Sequence, residues 1–254
     1  MAGTLDGKVI LVTGGSTGIG RATSQILARE GAVVVIADIQ DREGATTVES
    51  IRGAGGTAEY HRTDVADFAQ VQALIADIAA RHGGLDGAFN NAGIEGPTAK
   101  IESLSLADWD RVIRVNLTGV FYCMKCEIEQ MLKQGRGGAI VSTASAAGLV
   151  GLPGAVSYNS AKHGVVGMTK TIALEYAARN IRVNAVCPGF IETPMLNRVT
   201  DASVKIREQL IRAVPMKRVA GASEIGDAVA WLLSDRASYV TGIALPVDGG
   251  WVAQ

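Results

Sequence analysis

The chain has little of what would divide or cross-link it. Of 254 residues only three are cysteine and six are proline, and aromatic residues make up 5%. Three cysteines do not make a disulfide framework. Cys123 and Cys126 form a C-x-x-C, but inside a helical pattern and with no second ligand pair, so both read as buried or interface residues. His61, His82 and His163 show no ligand spacing, and no metal is expected. Neither sign of charge dominates: the formal net charge is −1. That gives no reason to expect a nucleic acid or a membrane surface as partner. No uninterrupted apolar run of about 18 residues suggests a membrane span. Residues 1–7 carry neither the basic nor the apolar region of a secretory signal, so a cytoplasmic location is expected. No Pro/Ser-rich linker, charge run or internal repeat divides the chain, and residues 1–254 read as one domain.

What the chain does have is alternation. Apolar, β-branched runs at 8–13, 33–37, 57–61, 85–90, 138–143, 181–187 and 243–247 read as strands. Between them, 3.6-residue periodicity predicts helices over 21–30, 43–52, 67–81 (capped by Asp67), about 105–133, about 156–178 and 223–234. Strand–helix alternation predicts an α/β fold: a doubly wound, Rossmann-like parallel sheet of about seven strands with helices on both faces. Ligands in such sheets bind beyond the carboxyl ends of the strands. Asn90, Ser145 and Pro188 all fall just after a strand.

The first strand runs into Gly14-Gly15-Ser16-Thr17-Gly18-Ile19-Gly20 and then a helix. This is the context of a dinucleotide fingerprint, in which glycines admit backbone N–H groups to a pyrophosphate at the helix N-terminus. The spacing is G-x-x-x-G-x-G, and no Gly-Lys-Ser/Thr follows to make a Walker A loop. Asp38 ends the second strand, where a carboxylate can accept hydrogen bonds from the adenine ribose hydroxyls. It would repel a 2′-phosphate; Ile39 and Gln40 offer no cation, and Arg42 is the nearest in sequence. NAD is therefore the expected cofactor.

Tyr158 and Lys162 stand four apart on a predicted helix and share a face. An ammonium about 4 Å from a phenol contributes about 4 kcal/mol at an effective dielectric near 20, enough to bring a tyrosine toward neutral pKa. Such a tyrosine can act as a base.

Taken in order, Thr13-Gly14-x3-Gly18-Ile19-Gly20, Asn90-Asn91-Ala92-Gly93, Asn116, Ser145, Tyr158-x3-Lys162 and Pro188-Gly189 resemble the short-chain dehydrogenase/reductase family. The resemblance implies hydride transfer between a nicotinamide cofactor and an alcohol or carbonyl. It implies Tyr158 as acid/base, Ser145 holding the substrate oxygen, and Lys162 binding the nicotinamide ribose and lowering the Tyr158 pKa. Asn116 would complete a proton relay through water. Asn91, Ala92, Gly93, Pro188, Gly189 and Ile191 fall in its cofactor-contacting stretches. Asp64 and Val65 resemble the pair that contacts adenine, and Thr193 the threonine near the carboxamide. Within the family, the stretches 84–93 and 142–148 are similar to bacterial dehydrogenases of cyclic alcohols and diols.

Residues 190–221 are the least regular and suit a substrate lid, with Met195, Leu196, Val199, Leu210 and Val214 among its apolar members. Leu149, Val150 and Leu152 offer an opposite wall. A neutral, largely apolar secondary alcohol or ketone, open-chain or cyclic, fits such walls. Two other functions compete. Reduction of 3-oxoacyl thioesters on a carrier protein would use Lys125, Lys133 and Arg136 as a docking patch. A non-catalytic dinucleotide sensor predicts a damaged Ser/Tyr/Lys set, whereas all three are present. The apolar surplus on helices 105–133 and 156–178, and the run 239–252, predict a homotetramer.

Overall fold

The computed structural model describes residues 3–200 and 204–254. Residues 201–203 of the expected lid lie outside them, as does the side chain of Val199.

Seven strands form one sheet: β1 Val9–Thr13, β2 Val33–Asp38, β3 Thr57–Arg62, β4 Gly87–Asn90, β5 Gly138–Thr143, β6 Ile181–Pro188 and β7 Ala244–Val247. The order is β3-β2-β1-β4-β5-β6-β7, and every pair is parallel. Every residue of β1 and of β4 is buried, as central parallel strands require.

Helices cover both faces. Against one lie α1 Gly18–Arg29, α2 Asp41–Gly53 and α9 Ala222–Leu233, contributing Leu27, Ile51, Val229 and Leu232 to the core. Against the other lie α3 Phe68–His82, α5 Gly119–Gln134 and α6 Val156–Tyr176, contributing Ile78, Met124, Met131 and Val165. Asp67 caps α3 as expected, accepting from the Ala69 and Gln70 N–H groups at 2.9 and 3.2 Å. The short α7 Pro194–Thr200 and α8 Val204–Ala213 follow β6. The chain leaves β1 toward β2 on one side and reaches β4 on the other, so the strand order reverses between β1 and β4. That crevice is the ligand position of this architecture.

Two expectations need correcting. The single helix expected from 105 to about 133 is three pieces: α4 Leu106–Ile113, a π-helical turn Arg114–Thr118, and α5. The widened turn carries Asn116, fully buried, inward to the backbone of Ile94. The apolar surplus on these helices is also smaller than the sequence suggests. Val112, Val120, Met124, Cys126, Ile128, Met131, Val165 and Val166 are all buried within the same chain. Among the described residues, large apolar side chains stay exposed at Leu106, Phe121, Leu132 and Leu174 on α4, α5 and α6, and at Tyr239 and Ile243 before β7.

Candidate active site

The glycine loop is shaped by sterics. Gly14 and Gly18 have φ of 62° and 53°, the left-handed region that L side chains avoid. A Cβ on Gly20 would stand 2.0 Å from the Gly14 carbonyl oxygen, so no other residue fits there. Thr17, at the N-cap of α1, makes no side-chain capping bond. The first-turn N–H groups of Gly18, Ile19 and Gly20 therefore lack a capping oxygen, the arrangement that accepts a phosphate. Ser16 is different. It is fully buried, and its N–H donates to Asp38 Oδ2 at 3.1 Å. It braces Asp38 from beneath.

Asp38 is buried at the end of β2, and its Oδ1 accepts from the Ile39 and Gln40 N–H groups at 2.8 and 3.2 Å. Sequence order pointed to Arg42 as the nearest cation, but the fold brings in Arg62. Arg62 is the register partner of Asp38 on β3. Its Nη1 donates to the Ile39 carbonyl at 2.8 Å and to Asp41 Oδ2 at 2.7 Å. The positive charge beside Asp38 is thus already paired.

The ends of β1, β4 and β5 are stitched together. Thr13 Oγ1 accepts the N–H groups of Asn91 and Ala92 at 3.0 and 3.2 Å. The Asn91 amide donates to the carbonyls of Thr13 and Gly14 and accepts from Thr143 Oγ1 at 3.2 Å. Beneath them, Asn90 donates to Glu127 Oε2 at 2.9 Å, with both residues buried. Burial pushes the Glu127 carboxyl up to about 8. Neither Thr143 nor Glu127 stands out in the sequence, because each acquires its partner only through strand pairing or helix packing.

Ser145, Tyr158 and Lys162 come together beyond β5. Ser145 follows the strand and caps a single 3-10 turn, accepting the Ala147 N–H at 3.1 Å. The Asn159 amide donates to the carbonyls of Ala147 and Val150, fastening that turn to α6. Lys162 is buried; its Nζ donates to the Thr143 carbonyl at 2.7 Å and lies 5.6 Å from the centroid of the Tyr158 ring. Burial lowers the Lys162 pKa to about 8.

The simple electrostatic argument for Tyr158 needs correcting here. Its pKa is raised, not lowered: burial dominates, the Ser145 hydrogen bond pulls it back in part, and the Glu95 charge adds to the rise. The ammonium does not offset this, because it is turned to a carbonyl and has itself lost hydration. Cys187, at the end of β6, is an unforeseen neighbour. Burial raises its thiol to about 11, against the opposing influence of the Ser145 N–H and the Lys162 charge.

The remaining sequence candidates fall around the same crevice. Asp64 is exposed and Val65 buried, just beyond β3. The Asn116 amide is engaged on both sides by Ile94, donating to its carbonyl and accepting its N–H, each at 2.8 Å. A Cβ on Gly93 would meet Asn116 Oδ1 at 3.2 Å, and one on Gly189 would meet the Asp248 backbone at 2.8 Å. Ile191 is buried and bridges to Ala220, and Pro188 closes β6. The Thr193 methyl would stand 3.3 Å from a Cβ on Gly18, so this threonine overhangs the glycine loop.

The expected lid and the wall expected opposite it do not form one surface. Leu149 and Val150 are half-buried and Leu152 is exposed. Beyond α8, Val214 and Met216 turn away to line a separate cavity of about 340 Å³ with Phe190 and residues 246–250. None of Ser145, Tyr158 or Lys162 lines that cavity. Cys123 is buried and its thiol is pushed well up, the reverse of a reactive thiolate. Among the described residues, no group of three or more His, Cys, Asp or Glu is placed to hold a metal ion, and no helix is long and apolar enough to cross a membrane.

Known proteins resemble this chain along its length. The family described as enoyl-(acyl carrier protein) reductase matches residues 14–252. A 2,5-dichloro-2,5-cyclohexadiene-1,4-diol dehydrogenase of Sphingobium indicum is 46% identical over 249 residues, 98% of each chain. A cyclohexanol dehydrogenase of an Acinetobacter species is 41% identical, covering 100% of this chain and 98% of that one. The crystal structure of a levodione reductase superposes with a TM-score of 0.95 at 40% identity, over 98% of this chain and 99% of that one. With the glycine loop, the Ser145–Tyr158–Lys162 group and the seven-stranded sheet in place, the chain belongs to the short-chain dehydrogenase/reductase family and is an oxidoreductase with a nicotinamide cofactor.

Proposed function

We propose that the chain is an NAD-preferring dehydrogenase of neutral cyclic secondary alcohols, running in reverse on the corresponding ketones. The observation that carries the reading is the meeting of Ser145, Tyr158 and Lys162 at a crevice whose far end is marked by the braced carboxylate of Asp38. The relatives named for a cyclohexadiene diol and for cyclohexanol support the substrate class.

The residues present fit the cofactor. The uncapped start of α1 suits the pyrophosphate, and Asp38 suits the ribose diol. Arg62, neutralised by Asp41, does not compensate a 2′-phosphate. Asp64, Val65, Asn91, Ala92, Gly93, Pro188, Gly189, Ile191 and Thr193 would line the rest of the groove. When bound, the nicotinamide ring supplies the hydride acceptor or donor. Tyr158 takes the proton of the alcohol hydroxyl, or returns it in reduction. Ser145 donates a hydrogen bond to the reacting oxygen, which is strengthened as charge develops there. Lys162 holds positive charge behind the phenol and fixes the ribose. Asn116 holds the turn at Ile94 in place and completes the relay.

The test is turnover of cyclohexanol with NAD and with NADP. The expected ratio of kcat/KM is at least about a hundredfold in favour of NAD, since about 3 kcal/mol of phosphate–carboxylate repulsion supplies it. Equal use of both cofactors would refute the preference. Because burial raises Tyr158, oxidation should speed up as pH rises from neutrality toward about 8, where Lys162 begins to lose its charge. The carrier-thioester reading is disfavoured: Lys125 is paired with Glu129 and Arg136 with Asp86, which leaves the expected docking patch largely self-neutralised. A homotetramer in the cytoplasm completes the proposal. Phe121, Leu132 and Leu174 would form one two-fold interface, and Tyr239 with Ile243 would join the second. Light scattering giving the mass of one chain would exclude it.

A further inference from the structure

The mouth of the site holds one feature that the reaction does not use. Glu95 lies in a segment pinned on both sides. Before it, Ile94 is bonded through both N–H and carbonyl to Asn116. After it, a Cβ on Gly96 would stand 3.1 Å from Ser157 Oγ, on the residue preceding Tyr158. The Glu95 carboxylate therefore has a fixed base close to the catalytic phenol, and its charge is felt there. Arg198 comes from the other side, from α7 of the lid, 103 residues away. The two meet fork to fork, Nε on Oε1 at 2.6 Å and Nη2 on Oε2 at 2.9 Å.

A lid latch alone is a weak explanation for this pair. Its side chains are 36% and 60% exposed, and exposed pairs contribute about 0–1 kcal/mol. As a recognition element it has unused capacity. A carboxylate offers about four acceptor sites and a guanidinium five donors, while each bond here occupies one of each. A substrate hydroxyl can donate to Glu95 and accept from Arg198 at once, with the pair intact. Leu149 and Val150, beyond β5, and Met195, one turn before Arg198 on α7, are half-buried and apolar.

We propose that Glu95 and Arg198 form a second polar anchor of the substrate site, reading an oxygen across a six-membered ring from the reacting carbinol. The substrate class narrows to cyclic diols and hydroxyketones, with one oxygen at Tyr158 and Ser145 and the other at the ion pair. This rests on the reading of the chain as a cyclic alcohol dehydrogenase.

The test compares kcat/KM for cyclohexane-1,4-diol and for cyclohexanol, each with NAD. Wild type should favour the diol by at least about tenfold beyond the factor for its two hydroxyls, since a hydrogen bond to a charged group is worth that much. In Glu95→Ala and in Arg198→Met the ratio should fall to about that statistical factor. Glu95→Gln, which keeps an acceptor and the lid contact, should give an intermediate ratio. A wild type without preference, or variants that slow both substrates and keep the ratio, would overturn the anchor and leave a simple latch. No oxidation of either alcohol would defeat the underlying functional reading, and the anchor with it.

Discussion

From Thr13 to Gly93 the site is held by short contacts, buried or partly buried: backbone N–H groups on Thr13 Oγ1, the Asn91 amide across two strands, Ser16 on Asp38. From Phe190 to Gly221 it is held by ionic side chains near solvent: Arg198 on Glu95, Arg207 on Glu192, Arg218 on Glu224. The first kind of contact is short-range, directional and little affected by salt. The second is screened within about 10 Å at 0.1 M salt. On the proposed reading, the cofactor end is thereby held in one geometry, and the expected lid by contacts that can part.

The largest effect is expected between the two regions, in Tyr158→Phe. The ring stays, and the proton-exchanging group is lost. Turnover should fall by about 10²–10⁴, while NAD binding, followed by protein fluorescence, changes little. Retention of more than about a tenth of the rate would show that Tyr158 is not the acid/base.

Gly20→Ala comes next. Its Cβ would meet a backbone oxygen at 2.0 Å, and backbone cannot swing aside as a side chain can. Overpacking of about 1–3 kcal/mol should appear as roughly a tenfold or greater loss of NAD affinity. An unchanged affinity would mean that the loop is as yielding as the lid.

Glu127 tests whether the rigidity has a pH limit. Its carboxyl is raised from the usual 4.5 to about 8 in the fold. The folded state thus holds a proton that the unfolded state releases, and stability should decline from about pH 5 to pH 8. Urea midpoints at pH 6 and 8.5 measure this. Glu127→Gln should flatten the decline and be the more stable form at pH 8.5; a parallel decline in the variant would exclude Glu127 as its source.

The smallest effect is expected on the lid. Arg207→Ala, measured in 0.05 and 0.5 M salt, should cost under about 1 kcal/mol of stability, read as a small drop in Tm. It should raise the KM for the alcohol a few-fold and leave that for NAD alone. A larger effect on NAD would mean that the lid and the cofactor groove are one unit.

The same contrast governs what could be read beforehand. The seven strands, the glycine loop and the Tyr158–Lys162 pair are local patterns, legible because period and spacing carry them. Asp38 was legible as a position, but Arg62 was not, since it reaches that position through β2–β3 pairing. Glu127, Thr143 and the Glu95–Arg198 pair each join distant stretches, and nothing near them in the chain marks them. The Tyr158 environment misled for a different reason. Helical spacing placed the ammonium near the phenol, but gave no measure of how much water both would lose.

The π turn at Arg114–Thr118 has a consequence for how this chain can change. A π turn takes in one residue more than an α turn, about 100° of helical rotation. With that residue held in the widened turn, α4 packs beside α6 and α5 packs beside α3. Val112 and Met124 would stand about 120° apart in an unbroken α-helix of this sequence, yet both are fully buried. The turn therefore keeps the two stretches in phase. A one-residue deletion between 114 and 118 would close it and leave both faces where they are, while Asn116 would lose the widened turn that carries it to Ile94. The rod can shorten by one residue here, where a straight helix could not.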